Sequence, residues 1–214
     1  AVLALAAAVT LLLAGSFLLR TRTTDNPDKT AAIPAAIPAI IPDIVPEAIP
    51  EAPPISAMAV VIGRSPEAAQ AVGTYLKPGI ISQTAGWLTL QTLHGVSVTF
   101  DAPFRAELLS HDRILLNEGR ARVRVPKGAE GFRLDSPAFD VVDLGTEFAA
   151  MVNPDGTGTC RVFEGKADVS LLDSIGEVKR TQRLTARESV RVDPAEEDIQ
   201  IIEESDGDYP EMKQ

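Results

Sequence analysis

Acid-base catalysis at a glycosidic or similar bond needs two carboxyl groups held across the reacting atoms. Glu147 and Glu164 are the pair this chain could bring together, if neighbouring strands carried them. Nothing in their spacing demands that meeting, because each lies in a run where charged and apolar residues alternate, the pattern of a strand's solvated face. Cys160 is the single cysteine, which excludes an internal disulfide and a multi-cysteine zinc site. Beside Val162 in an apolar run it reads as a small buried hydrophobe, since a reactive thiol needs a neighbouring base. His94 next to Gly95 and His111 next to Asp112 read as turn residues, and two histidines leave little for a metal centre. No Ser-His-Asp arrangement and no phosphate-binding loop is present. The reading is a binding module and not an enzyme, with no catalytic, metal or cofactor residues assigned.

The polar feature that stands out is Arg120, Arg122 and Arg124. Alternate residues of a strand share a face, so the three guanidinium groups form a stripe, with Lys127 just beyond. Such a stripe can mark a charged edge strand that discourages sheet-to-sheet pairing. It can also contact an anionic partner, either a surface glycan or the chain's own acidic terminus. Arg180, Arg183, Arg187 and Arg191 would extend it if the fold placed them nearby.

The elements that must position these residues are strands. Between residues 57 and 193, short alternating runs are separated by Gly, Asn, Asp and Pro, the signature of half-buried strands and tight turns. Val60 and Ile62 open the series. Strands are predicted at 87–93, 96–100, 104–110, 113–117, 120–125, 132–135, 139–142, 146–152, 159–163, 166–172, 177–184 and 188–192. In several of them the apolar residues fall on one parity: Leu88 and Leu90; Val96, Val98 and Phe100; Phe104, Ala106 and Leu108; Ala167, Val169 and Leu171. Asn117-Glu118-Gly119 and Asn153-Pro154-Asp155-Gly156 offer turn chemistry for antiparallel reversals. One brief helix is predicted at 66–72, with Ser65 as N-cap, Pro66 in the first turn and Gly73 as terminator. The fold class is all-β, an antiparallel β-sandwich or a solenoid-like stack of hairpins.

Flanking segments differ in composition. Residues 1–19 carry no charge and at 1.5 Å per residue would span roughly 28 Å, which predicts a transmembrane helix over 1–20 in contact with membrane lipid. The absence of a methionine before Ala1 reads as a missing upstream portion. Residues 21–56 form a linker in which Pro34, Pro38, Pro42, Pro46 and Pro50 recur at every fourth position. That pattern excludes helix and central strand, and its 24-residue proline-rich part would reach roughly 75 Å as an extended rod. From Asp193 onward there are nine acids and one base, which account for −8 of the formal net charge of −10. Residues 194–214 are therefore expected as a solvated acidic tail. Acidic balance also excludes nucleic-acid binding, which needs a clustered positive field.

One block is more specific. Residues 134–148 read Leu-Asp-Ser-Pro-Ala-Phe-Asp-Val-Val-Asp-Leu-Gly-Thr-Glu-Phe, followed by Val162-Phe163-Glu164-Gly165-Lys166-Ala167-Asp168-Val169 and later Ala186-Arg187-Glu188-Ser189-Val190-Arg191-Val192. Together with Leu76-Lys77-Pro78-Gly79, Trp87-Leu88-Thr89-Leu90 and the run 115–123, these residues resemble FecR-type domains over residues 57–193. The resemblance implies the extracytoplasmic part of a single-span inner-membrane protein that regulates a sigma factor. It further implies that a portion preceding Ala1 is cytoplasmic and touches that sigma factor, while the β domain is periplasmic and meets a protein or glycan partner. Gly145, Thr146, Glu147 and Phe148, with Glu164 and Gly165, are the motif positions. Their chemistry suits a fold-defining role, with Gly145 for a bend, Thr146 for a strand start and Phe148 as a core plug. An envelope structural or glycan-binding module on a stand-off spacer is the alternative function.

Overall fold

The computed structural model describes residues 53–204 and 206–213. The expected membrane span and nearly all of the proline-rich linker lie outside the described residues. Among the described residues no helix is long and apolar enough to cross a membrane.

Among the described residues, fourteen strands belong to one hydrogen-bonded network. They are β1 (Ala59–Arg64), β2 (Tyr75–Leu76), β3 (Gly79–Gln83), β4 (Trp87–Thr92), β5 (Ser97–Ser110), β6 (Arg113–Arg124) and β7 (Arg133–Asp135), then β8 (Phe139–Asp143), β9 (Glu147–Val152), β10 (Gly158–Glu164), β11 (Lys166–Leu172), β12 (Val178–Thr185), β13 (Ser189–Asp193) and β14 (Asp198–Ile202). All pairings are antiparallel except β6 with β7.

The long strands β5 and β6 organise the rest. Each spans two segments that the alternation pattern reads as separate strands. Pro103 has no N–H to give the ladder, and the pairing of β5 with β6 shifts register between Asp101 and Arg105, where both strands bend. Asn117-Glu118-Gly119, expected to reverse the chain, instead lies within β6 opposite this irregularity, because β6 is held on both sides and continues through it. On one side of the bend, 97–101 and 119–124 continue the series β2-β1-β4-β5-β6-β9-β10-β13-β14. On the other side, 104–108 and 113–116 continue β3-β5-β6-β7-β8-β11-β12.

Apolar parity faces these two arms toward one core. Leu88, Leu90, Val98, Phe100, Val123, Phe148 and Val162 come from the first arm, and Phe104, Leu108, Ile114, Leu134, Phe139, Val169 and Leu184 from the second, all within a single buried cluster. Phe139 of β8 packs so closely on Gly158 of β10 that no side chain would fit there. The fold is all-β, with both arms part of one hydrogen-bonded sheet and one buried cluster.

Two expectations are corrected. Residues 66–72 form turns and no helix. The segment is short and has no apolar stripe to bury, the Ser65 hydroxyl accepts from the Trp87 amide at 3.0 Å, and Arg64 takes the Ala68 carbonyl at 2.7 Å. The acidic C-terminal segment is not a solvated tail. It supplies β14, which pairs with β13 from Ser189↔Ile202 to Asp193↔Asp198 and buries Ile199. A 3-10 turn, Asp206–Asp208, then leads the chain back over the first arm.

Candidate binding face

The outer face of the first arm is set by register. Thr89, Thr99, Arg122, Ala149, Arg161 and Ser189 are successive cross-strand partners from β4 to β13 and so share one face. Trp87, Asp101, Arg120, Met151, Thr159 and Arg191 form the row beside it, and Arg124 with Glu147 lies on the other side. The arginine stripe is therefore central. Residues 119–124 run between β5 and β9, which overturns the edge-strand reading: the stripe cannot guard an edge that two neighbours already occupy.

Within the stripe the three arginines have different fates. Glu147, 6% exposed, receives Arg122 Nε on one oxygen at 2.7 Å and Arg124 Nε on the other at 2.8 Å. Arg122 Cζ also stacks 3.8 Å over the Phe163 ring. Arg120 is exposed. Arg191 shares the row of Arg120, while Arg180 and Arg183 lie on β12 in the other arm, bound to Asp198 and Asp168. Arg161, which joins the face from β10, was missed because its neighbours in sequence are apolar. Only the register shows that it stands two strands from Arg122.

The C-terminal segment crosses this face. Arg161 donates to Ser189 Oγ and to the Glu204 carbonyl, both at 2.9 Å. The Tyr209 hydroxyl lies 2.9 Å from Thr159 Oγ1 and donates to the Glu204 carboxylate. Burial and the Glu204 hydrogen bond push the Tyr209 phenol well above its ordinary range, and its ring meets Phe163 edge-on at 6.1 Å. Arg122 then donates to the Pro210 carbonyl at 3.0 Å. Thr99 contacts Met212 Sδ at 3.9 Å, Thr89 donates to the Lys213 carbonyl at 2.6 Å, and Lys213 Nζ reaches Asp101 at 3.3 Å and the Trp87 ring at 5.8 Å. Residues 209–213 thus lead from β10 to β4, four strand spacings apart, the Tyr209 side chain supplying part of the reach. The stripe meets the chain's own C-terminal segment, where Arg122 donates to a carbonyl and not to a carboxylate.

The motif residues form a corner beside this face. Gly145 has φ of +91° and Gly165 has φ of +79°, and a Cβ on Gly165 would collide with the Gly145 carbonyl oxygen. Asp143, fully buried, accepts the Gly145 amide at 2.9 Å and the Thr146 hydroxyl. Phe148 is completely enclosed in the core. The register sets Glu164 opposite Glu147, the adjacency that acid-base work would require. Both Glu147 oxygens are nevertheless taken up by guanidinium groups, whereas Glu164 is exposed. That arrangement makes Glu147 an anchor for the stripe.

Cys160 is buried, and burial followed by the nearby Glu204 charge pushes its thiol far up. The two turn histidines meet, which their separation in sequence concealed. Their ring centroids are 5.1 Å apart, and the His111 Nδ1 lies 3.3 Å from the Met58 carbonyl. Among the described residues no group of three or more His, Cys, Asp or Glu is arranged to hold a metal ion.

Comparison with known proteins places two solved structures beside this fold. A proposed anti-sigma factor from Parabacteroides distasonis, solved at 2.50 Å, is similar at 22% identity and a TM-score of 0.49, over 59% of this chain and 60% of that one. A second structure under the same description, at 1.65 Å, is similar at 23% identity and a TM-score of 0.47, over 58% and 59%. The likeness therefore spans about three fifths of those chains. No family model matches the chain, and no curated protein matches it.

Proposed function

We propose that this chain is a membrane-anchored regulator of sigma-factor signalling, whose β domain lies outside the inner membrane and recognises a partner without catalysing a reaction. The observation that carries the binding reading is the use made of the polar groups that converge on the first arm. Arg122, Arg161, Thr89 and Thr159 hold a stretch of the chain's own polypeptide through its carbonyl and phenol groups, which supports a peptide-binding reading. The sigma-factor assignment rests on the resemblance of residues 134–148 and 162–169 to FecR-type domains. In this reading residues 1–20 cross the membrane, residues 21–56 hold the domain away from it, and a cytoplasmic portion before Ala1 binds the sigma factor.

The test is a transcription assay in the native host. Deleting the gene should change expression from promoters of one alternative sigma factor by roughly tenfold or more, and that factor should co-purify with the intact membrane protein. Unchanged promoter activity together with no co-purifying sigma factor overturns the assignment.

A further inference from the structure

We propose that the face carrying Arg122 and Arg161 is a docking surface for an extended acidic peptide bearing a tyrosine, and that residues 206–213 are its resident, displaceable strap. This goes beyond the sigma-factor reading and does not depend on it, since it requires only that the domain accept polypeptide on this face.

Three observations carry the inference. The face that the strap touches is largely polar: Thr89, Thr99, Arg122 and Thr159 contact it, with Phe163 against its tyrosine ring, whereas the opposite side of the same strands is Leu, Val and Phe. A permanent cover would be expected over apolar surface; a polar one can be rehydrated when the cover leaves. The strap makes no ladder with any strand and is held at separate points, by Arg122 on Pro210, Thr89 and Asp101 on Lys213, and Tyr209 near Thr159. Tyr209 is its one large buried anchor, 6% exposed and outside the main core cluster, and a cavity of about 370 Å³ opens beside it between Arg120, Met151 and Thr159. Finally, the strap supplies the specification of its competitor. It sets Asp208 and Glu211 on either side of one tyrosine, with Glu203 and Glu204 just before the strap, and the face beside it bears Arg120, Arg122, Arg161 and Arg191. A partner with an extended tyrosine flanked by carboxylates meets the same donors, with the charge complementarity that steers association.

The probe is a fluorescein-labelled synthetic peptide of residues 203–213, titrated into the full 214-residue chain and its Tyr209→Ala variant. The variant should bind the peptide at least about tenfold more tightly than the wild type, because its own strap no longer competes. A peptide carrying alanine in place of the tyrosine should not bind. Hydrogen exchange on the wild type provides the second measurement: amides of residues 207–213 should exchange at least about tenfold faster than those of β6 and β9, which marks opening of the strap alone. A folded Tyr209→Ala chain that ignores the peptide overturns the proposal. So does exchange of the strap at the same rate as β6, which would make it a fixed part of the core, whether or not the variant folds. A wild-type dimer in light scattering that trades its straps between copies also overturns it, because the occupant would then be a second copy.

Discussion

At the residue scale, two glycines and one carboxylate are expected to dominate the response to mutation. Gly165 combines a left-handed backbone with contact against the Gly145 carbonyl, so Gly165→Ala should lower unfolding free energy by about 3 kcal/mol, read by urea titration. Glu147→Ala leaves Arg122, largely enclosed, without its carboxylate partner, although the Pro210 carbonyl still accepts from it. The loss should be about 2 kcal/mol, held below the fully buried case because Arg124 is 54% exposed. Asp140 provides a pH test. Burial, reinforced by Asp135, raises its carboxyl above the ordinary value, against the pull of Arg133. The unfolded chain therefore releases this proton at lower pH than the folded one, and its contribution to stability falls as pH rises from about 4 through the raised folded value. The stability of Asp140→Asn minus that of the wild type should increase over that window in denaturant titrations from pH 3.5 to 7. A flat difference would contradict the assignment.

At the element scale, the acidic C-terminus is where sequence pattern and fold part company. Composition predicts a solvated tail because the segment is acid-rich and poor in large apolar residues. Strand β14 forms nevertheless, because Ile199 needs only one buried position, opposite Val192, and the ladder to β13 satisfies the backbone. Ile199→Ala should accordingly cost about 2–3 kcal/mol, whereas the same change in a solvated tail would cost nothing measurable in a thermal melt. The predicted helix over 66–72 fails for the opposite reason. Its capping signals are present, but Ser65 and Arg64 find tertiary and turn partners that a single isolated turn cannot outcompete. The merging of four predicted strands into β5 and β6 shows that a proline and a glycine can bend a ladder without ending it.

For the whole molecule, the expected arrangement places the β domain on the far side of the inner membrane from the cytoplasm. Alkaline phosphatase fused after Gln214 of the intact protein should be active in cells, since that enzyme folds only where disulfides form. An inactive fusion would place the domain in the cytoplasm and remove the proposed topology. The two arms of the sheet share one core, so the arginine face and the glycine corner are supported by the same apolar cluster. Damage to either is expected to be felt across the domain.

What the residue pattern determined by itself was local. Alternating apolar residues marked most of the strands between 87 and 192, although β2, β3 and β14 were not predicted, and the apolar Phe148, Val162 and Cys160 lie inside. The pairing of strands far apart in the chain was decided only by the tertiary structure, because strand register carries no short-range signal. That pairing put β6 between β5 and β9, set Glu147 against Arg122 and Arg124, brought Arg161 onto the same face and laid the C-terminal segment across it. Periodicity tells a residue which way to point, but the identity of the neighbour it meets depends on how the whole chain closes around its core.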